Sequence, residues 1–199
     1  NACPCAGVMS SATGRPRSSS RGVLAEAACE LFLEQGYEAT TVADITSRAG
    51  VSRSSFFNYF SSKGDLLWSE FDAQVDVLAK SLADASDVDA PATVAHAIDE
   101  LGHALAPDSL TLALANATAM GLDDELDREA ARRLSRIAGL VAARLRQGGV
   151  DPLAAEVAGA AYGGAVIAAL RAWAAEGPGR TALPALLARA TRDIGGLLA

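Results

Sequence analysis

The chain has 199 residues, half of them apolar and 21% charged, and its formal charge is −7. A chain of that length buries one large core or a small domain joined to a medium one, and the apolar share excludes wholesale disorder and any need for a metal or disulfide staple. Aromatic residues make up only 5%, alanine dominates the apolar count, and seven prolines leave long stretches uninterrupted, a composition that predicts an all-α fold.

Glu156 and Arg171 break the Ala-rich stretch 154–175, so no run of 18 or more apolar residues occurs and no membrane span is expected. Cys3, Cys5 and Cys29 are an odd set with no later cysteine, which predicts a reducing, cytoplasmic location. Residues 1–8 lack the cationic and apolar segments of a signal peptide, and Met9 is a candidate start. Charge is unevenly spread. Residues 1–65 balance Arg15, Arg17, Arg21, Arg48, Arg53 and Lys63 against Glu26, Glu30, Glu34, Glu38, Asp44 and Asp65, so the whole excess of acid lies beyond residue 65. Screening over about 8 Å leaves the near end free to meet an anion.

In chain order, residues 1–20 read as a basic arm rich in Ser, Gly, Pro and Arg. From Val23 the apolar Leu24, Ala28, Leu31 and Phe32 recur at helical spacing, with Glu26, Glu30 and Glu34 on another face, predicting a helix that ends at Gly36. Thr40 or Thr41 caps a short second helix carrying Val42, Ile45 and Ala49 inward. Gly50 permits a tight turn, and Ser52 caps a third helix to about Phe60. Two short helices across a glycine turn form a helix-turn-helix, the geometry that lays its second helix in the DNA major groove, although any helical hairpin can carry such a turn. Ser62 and Asp65 fit a capping box opening a long fourth helix to about Ala83. Further helices are predicted at 91–106, 108–120, 122–147, 151–176 and 181–198, about nine in all, divided by Pro107, Gly121, Gly148-Gly149 and Gly177-Pro178-Gly179.

Residues 41–67, TVADITSRAGVSRSSFFNYFSSKGDLL, with the first helix and Gly36-Tyr37 before them, closely resemble the DNA-binding region of the TetR family of bacterial transcriptional regulators. The likeness covers about residues 15–70. A narrower likeness, in residues 56–60 and 68–72, is to an actinobacterial subgroup associated with mycofactocin clusters and responsive to acyl-CoA thioesters. The resemblance implies a helix-turn-helix domain over 21–66, with three helices, and a helical ligand-binding and dimerisation domain over 67–199.

Within the third helix Arg53, Ser54, Phe57 and Asn58 fall outside the inward set and are the candidate readers of base edges; an arginine fork matches guanine, and Asn58 matches adenine. The resemblance places Ser55, Tyr59 and Lys63 on phosphates, which fix register rather than sequence. Phe57 stands where tyrosine is common in the family, leaving only apolar contact there. Thr41 has two readings, a cap alone or a cap that presents backbone amides to a phosphate. Ala43 stands where some members carry a base-reading arginine. Arg15, Arg17 and Arg21 either follow a phosphate or minor groove or form a solvated tail.

Beyond residue 66, Ala154, Ala158, Ala161, Ala165 and Ala168 form a stripe beside Gly159, Gly163 and Gly164. The resemblance implies that helices 151–176 and 181–198 pair with their copies in a homodimer, with Leu183, Leu186, Leu187, Ile194 and Leu197 as bulk, which sets two recognition helices on a palindromic operator in double-stranded DNA. The alternative is that they bury each other within one subunit. Trp68, Phe71, Leu105, Met120, Tyr162, Val166 and Trp173 are candidate lining for a small apolar or amphipathic effector, or plain core. Arg132, Arg133 and Arg136 are candidates for the phosphates of an acyl-CoA-like effector, or a solvated face. The implied function is a repressor released by that effector.

No cofactor or metal is expected. His96, Asp99, Glu100 and His103 share a helix face, but a carboxylate-bridged helical site needs a second Glu-x-x-His set, and these are the only two histidines. The competing readings are a helical interaction module without DNA binding and a metal-dependent enzyme.

Overall fold

The computed structural model describes residues 20–86, 89–177 and 179–194. Within them lie ten helices and no strand: α1 (Ser20–Gln35), α2 (Val42–Ala49), α3 (Arg53–Phe57), α4 (Lys63–Asp84), α5 (Ala90–Ala104), α6 (Ser109–Ala115), α7 (Ala117–Met120), α8 (Asp123–Gln147), α9 (Pro152–Glu176) and α10 (Leu183–Thr191). The all-α expectation holds. Arg15, Arg17, Cys3, Cys5 and Leu197 lie outside the described residues.

Three expected helix boundaries and one expected cap differ from the structure. The third helix stops at Phe57, because the amides of Tyr59 and Phe60 both turn back to the Phe56 carbonyl, at 2.9 and 3.0 Å. The segment expected as one helix over 108–120 is two, broken where the Asn116 side chain donates to the Leu112 carbonyl (2.9 Å). Ser62 caps α4 by accepting from the Asp65 amide (3.0 Å), but the Asp65 carboxylate takes the Ser61 hydroxyl, so the reciprocal half of the box is missing. Among the described residues the last helix runs 183–191 rather than from 181, and residues 195–198 of the expected span lie outside them.

The core runs unbroken from α1 to α10. Leu24, Phe32, Ile45 and Phe56 fill the N-terminal unit; Trp68, Phe71, Leu110, Met120, Leu122 and Ile137 fill the body. A division after Leu66 falls inside α4, so one helix belongs to both parts. At their junction the Tyr37 amide donates to the Met120 carbonyl (2.8 Å) and the Tyr37 hydroxyl to Glu125 Oε1 (3.1 Å), closing over buried Gly64, where a Cβ would collide with that carboxylate.

α8 and α9 form a tight antiparallel hairpin. Gly159 and Gly163 of α9 press on the α8 backbone, and a Cβ at Gly163 would lie 2.6 Å from the Leu134 carbonyl oxygen. Of the small-residue stripe, Ala158, Gly159, Gly163 and Ala165 are buried within one subunit, while Ala168 is exposed. Leu183, Leu186 and Leu187 are likewise buried where α10 packs on α5 and α9. By length and composition α9 is apolar enough to cross a membrane (mean hydropathy 1.6), and half of that stretch is buried in the fold.

Candidate nucleic-acid interface

The recognition unit is held by local chemistry. Thr41 accepts from the Asp44 amide (3.2 Å) while its own amide donates to Asp44 Oδ2 (2.9 Å), a reciprocal capping box that starts α2. The hydrogen bonds from Thr41 hold the Asp44 carboxyl below its ordinary value. Gly50, at φ +67°, ends α2 in the left-handed region and bonds back to the Ser47 carbonyl, giving the sharp turn into Ser52. Ser52 accepts from the Ser55 amide (3.1 Å) and starts α3. Ile45, Phe56 and Phe60 are buried beneath, so the opposite face of α3 points outward.

α2 is clamped to α1 by Arg48, whose guanidinium reaches Glu34 (2.7 Å) and Glu30 (3.1 Å); hydrogen bonds to both carboxylates raise its already high pKa, and the bond from Arg48 lowers that of Glu34. The glutamates that marked the outer face of α1 in the sequence thus orient the helix-turn-helix.

On the outward face Arg53, Ser54, Phe57, Asn58 and Tyr59 are exposed, Phe57 by 53% and Tyr59 by 41%. Arg53 forms no ion pair among the described residues; its guanidinium lies 6.0 Å from the Phe57 ring. Arg21, at the start of α1, sits 5.4 Å from the Tyr59 ring, beside the end of the recognition helix. A guanidinium with no carboxylate partner keeps its donors for an external acceptor. Asn58 is the residue after the last turn of α3, not part of the helix proper. Ser54 and Ser55 share hydroxyl hydrogen bonds with Ser52, each at 2.8 Å.

Lys63 differs from expectation. Its ammonium donates to the Tyr37 carbonyl (2.6 Å) and the Thr40 carbonyl (3.0 Å) and lies 4.0 Å from the Tyr37 ring, so two of its three donors fasten α4 to the α1–α2 connection. Only the third remains for a phosphate.

Of the expected effector lining, Trp68, Phe71, Met120 and Val166 are almost fully buried and line none of the five grooves described; Tyr162 is buried too, and burial raises its hydroxyl pKa. Leu105 and Trp173 are the exceptions, flanking an open groove of 580 Å³ between α5, α9 and the start of α10.

Sequence reasoning missed a buried charge cluster at the α4–α8 contact. Arg133, 6% exposed, donates through Nε and Nη2 to both oxygens of Asp72 (2.8 and 2.5 Å) and through Nη1 to Glu129 (2.5 Å), with its guanidinium 4.5 Å from the Trp68 ring. Burial pushes the Glu129 carboxyl up, yet hydrogen bonds from Arg133 and Arg132 leave it below its ordinary value. Arg136 pairs with Asp76. All three arginines considered for phosphate are therefore already matched with carboxylates, along one wall of a 680 Å³ cleft that opens below Asn58 and Tyr59. The spacing of 129 and 133 on one helix face was the available signal, but their burial was not legible.

The histidines of α5 pair with neighbouring carboxylates on the same exposed face, His96 with Glu100 (3.4 Å) and His103 with Asp99 (3.6 Å), and no group of three candidate metal ligands forms among the described residues.

Together these features define a helix-turn-helix protein in which the outward face of α3 is open and α4 runs on into a helical body. Residues 24–68 match the family model of bacterial regulatory proteins, tetR family. Among similar proteins, the transcriptional activator FasR of Mycolicibacterium smegmatis is 39% identical over 70 residues, covering 35% of this chain and 32% of that protein. The putative mycofactocin biosynthesis regulator MftR of Mycobacterium tuberculosis is 36% identical over 61 residues, covering 31% of each chain. The repressor DhaR of a Mycobacterium species is 38% identical over 74 residues, covering 35% of this chain and 37% of that protein. These matches span about a third of each relative's length, and their near-equal identities do not single out the mycofactocin-associated subgroup.

Solved structures resemble the chain over nearly its whole length. The repressor NalD of Pseudomonas aeruginosa aligns at 20% identity over 90% of this chain and 97% of that one, with TM-score 0.57. Thermus thermophilus FadR, crystallised with lauroyl-CoA, aligns at 23% over 90% and 95%, with TM-score 0.54. Both establish the two-part helical fold.

Proposed function

We propose that the chain is a DNA-binding transcriptional regulator that responds to a small molecule and works in the cytoplasm as a homodimer. The observation that carries this reading is the outward face of α3: Arg53 is exposed, without a carboxylate partner, at the first turn of a helix whose other face is locked into the core. In the major groove Arg53 reads guanine O6 and N7, Phe57 offers apolar contact to a thymine methyl, and Asn58 approaches the next base from the end of the helix. Tyr59, Arg21, Ser55, the amides capped by Thr41 and the free donor of Lys63 face the backbone and set register.

The dimer reading is supported by the outward face of the α8–α9 hairpin. Leu153, Val157, Ala160 and Ala168 of α9 and Ala131 of α8 are exposed, and the ion pairs Arg171–Asp127 and Arg146–Glu156 lie toward the two ends of the hairpin. A two-fold axis through that face presents two α3 helices to a palindrome with half-sites about one DNA turn apart.

The body is closed around Trp68, Phe71, Met120, Tyr162 and Val166, so an apolar or amphipathic effector acts by populating an opened arrangement in which α4 shifts and the recognition helices leave groove spacing. A coupling of about 1–3 kcal/mol lowers operator affinity roughly 5–150-fold, the expected sense being release of a repressor. FadR's lauroyl-CoA complex supports an acyl-CoA-like effector at the level of fold only; here phosphates would have to displace the carboxylates now paired with Arg132, Arg133 and Arg136.

The test is binding of selected DNA duplexes by fluorescence anisotropy across a salt series. A regulator loses affinity steeply as salt rises, whereas an interaction module or an enzyme shows no specific, salt-dependent duplex binding. Arg53→Ala is expected to relax one base position by about 1–3 kcal/mol of discrimination, while Tyr59→Phe weakens binding to all sequences alike.

A further inference from the structure

A second groove, of 610 Å³, runs between α1 and α6, away from the recognition face and from the buried body core. Its walls carry two large apolar side chains facing solvent, Leu33 at 47% and Leu112 at 43% exposure, with buried Cys29 at the base. Its charged groups are carboxylates, Glu26, Glu30 and Asp108, beside the neutral Ser109 and Thr111, and among the described residues that line it none is basic. Glu30 is partly neutralised by Arg48 (3.1 Å) and Asp108 is tied to Thr111 (3.1 Å), but Glu26 forms no hydrogen bond or ion pair among the described residues. Asp108 is largely withdrawn from water, and that burial raises its carboxyl pKa. An apolar trough with three acids on its walls, and no basic residue among the described ones that line it, is complementary to a ligand with the opposite arrangement.

We infer that the α1–α6 groove is a binding site for an amphipathic organic cation, whose apolar body lies against Leu33 and Leu112 and whose charge sits near Glu26 and Asp108. An apolar neutral molecule gains only from the leucines. An anion is repelled by three carboxylates at close range. The groove also joins α1, which carries the helix-turn-helix through the Arg48 clamp, to α6 of the body, so an occupant held there bears on the seat of the DNA-binding unit. That last consequence rests on the DNA-binding reading; occupancy of the groove does not.

The test uses the full chain without DNA, titrated by isothermal calorimetry with tetraphenylphosphonium and with tetraphenylborate, two ions of like shape and opposite charge. Expected is 1:1 binding of the cation with Kd below about 1 mM and borate binding at least about tenfold weaker. Glu26→Gln is expected to weaken the cation about fivefold, the effect of one near charge in a solvent-rich site. Leu112→Arg, at an exposed position, places a cation in the trough and is expected to abolish binding; Leu112→Ala, which introduces no charge, is expected to weaken it less. No binding of the cation, equal binding of both ions, or wild-type affinity in both Glu26→Gln and Leu112→Arg would overturn the inference. A protein that binds the cation in this pattern yet binds no duplex retains the groove site and loses the regulator reading instead.

Discussion

Arg133 gives the sharpest test of how α4 is fastened to the body. Replacing it with Ala removes both bonds to Asp72, the bonds to the Glu129 carboxylate and backbone carbonyl and the cation–π contact with Trp68, and leaves the Glu129 carboxylate, whose side chain is 9% exposed, with only the exposed Arg132 (2.9 Å). Stranding one partner of a buried pair costs about 3–5 kcal/mol. Asp72→Asn is expected to cost less, about 1–2 kcal/mol, because the Asp72 side chain is a third exposed and the Asn oxygen still accepts one bond from Arg133. Removing all the charges together, as Arg133→Met with Asp72→Leu and Glu129→Leu, is expected to recover most of the loss, since the whole cluster also carries a desolvation cost. The sense of the pH dependence is fixed as well. Glu129 is held below its ordinary value of 4.5, so its contribution is present above that pH and fades as pH falls through the folded value. Urea unfolding followed by circular dichroism, at one protein concentration and pH 7, reads these differences as shifts in midpoint at constant m. A loss under about 1 kcal/mol for Arg133→Ala would refute the reasoning.

Three further outcomes follow from the packing. Gly163→Leu is expected to destabilise by more than about 3 kcal/mol in the same assay, because even a Cβ there meets the Leu134 carbonyl, whereas Gly164→Ala, with open space around it, is expected to be neutral or slightly stabilising. Thr41→Ala is expected to cost about 1 kcal/mol through the lost cap of α2 and to weaken duplex binding by anisotropy, while Thr41→Ser retains both. Burial pushes the Cys29 thiol from 9.0 up to about 11, so its alkylation by iodoacetamide at pH 8 is expected to be much slower than in urea-unfolded protein; the folded state holds this proton longer, and stability falls as pH rises from 9 toward 11.

The parts legible in sequence are those decided by neighbours along the chain. Thr41 with Asp44, Gly50 and Ser52 with Ser55 place α2, the turn and the start of α3 because a cap is a bond between residues three apart. The open face of α3 followed from the inward spacing of Ile45, Phe56 and Phe60. What was not legible depends on partners distant in sequence. That the carbonyls of Tyr37 and Thr40 take two of the three Lys63 donors is not visible from its place in the sequence. The alanine and glycine stripe of α9 announces a close helix neighbour without saying which, and the structure gives that place to α8 of the same subunit. Arg133 looks like a surface charge on a helix rich in arginine, and only the arrival of Asp72 from α4 makes it a buried clamp. The filled core around Trp68 and Phe71 has the same cause: an apolar side chain that packs and one that lines a cavity have the same spacing.

The central claim, that the outward face of α3 enters duplex DNA in two copies, is tested most directly by selecting duplexes from a random pool with the purified full chain. The account calls for enrichment of a two-fold symmetric sequence with half-sites centred about 10 base pairs apart, or a multiple of that, whose enrichment vanishes with Arg53→Ala. Recovery of no sequence above background at low salt, or of the same sequence by the Arg53→Ala variant, would contradict it.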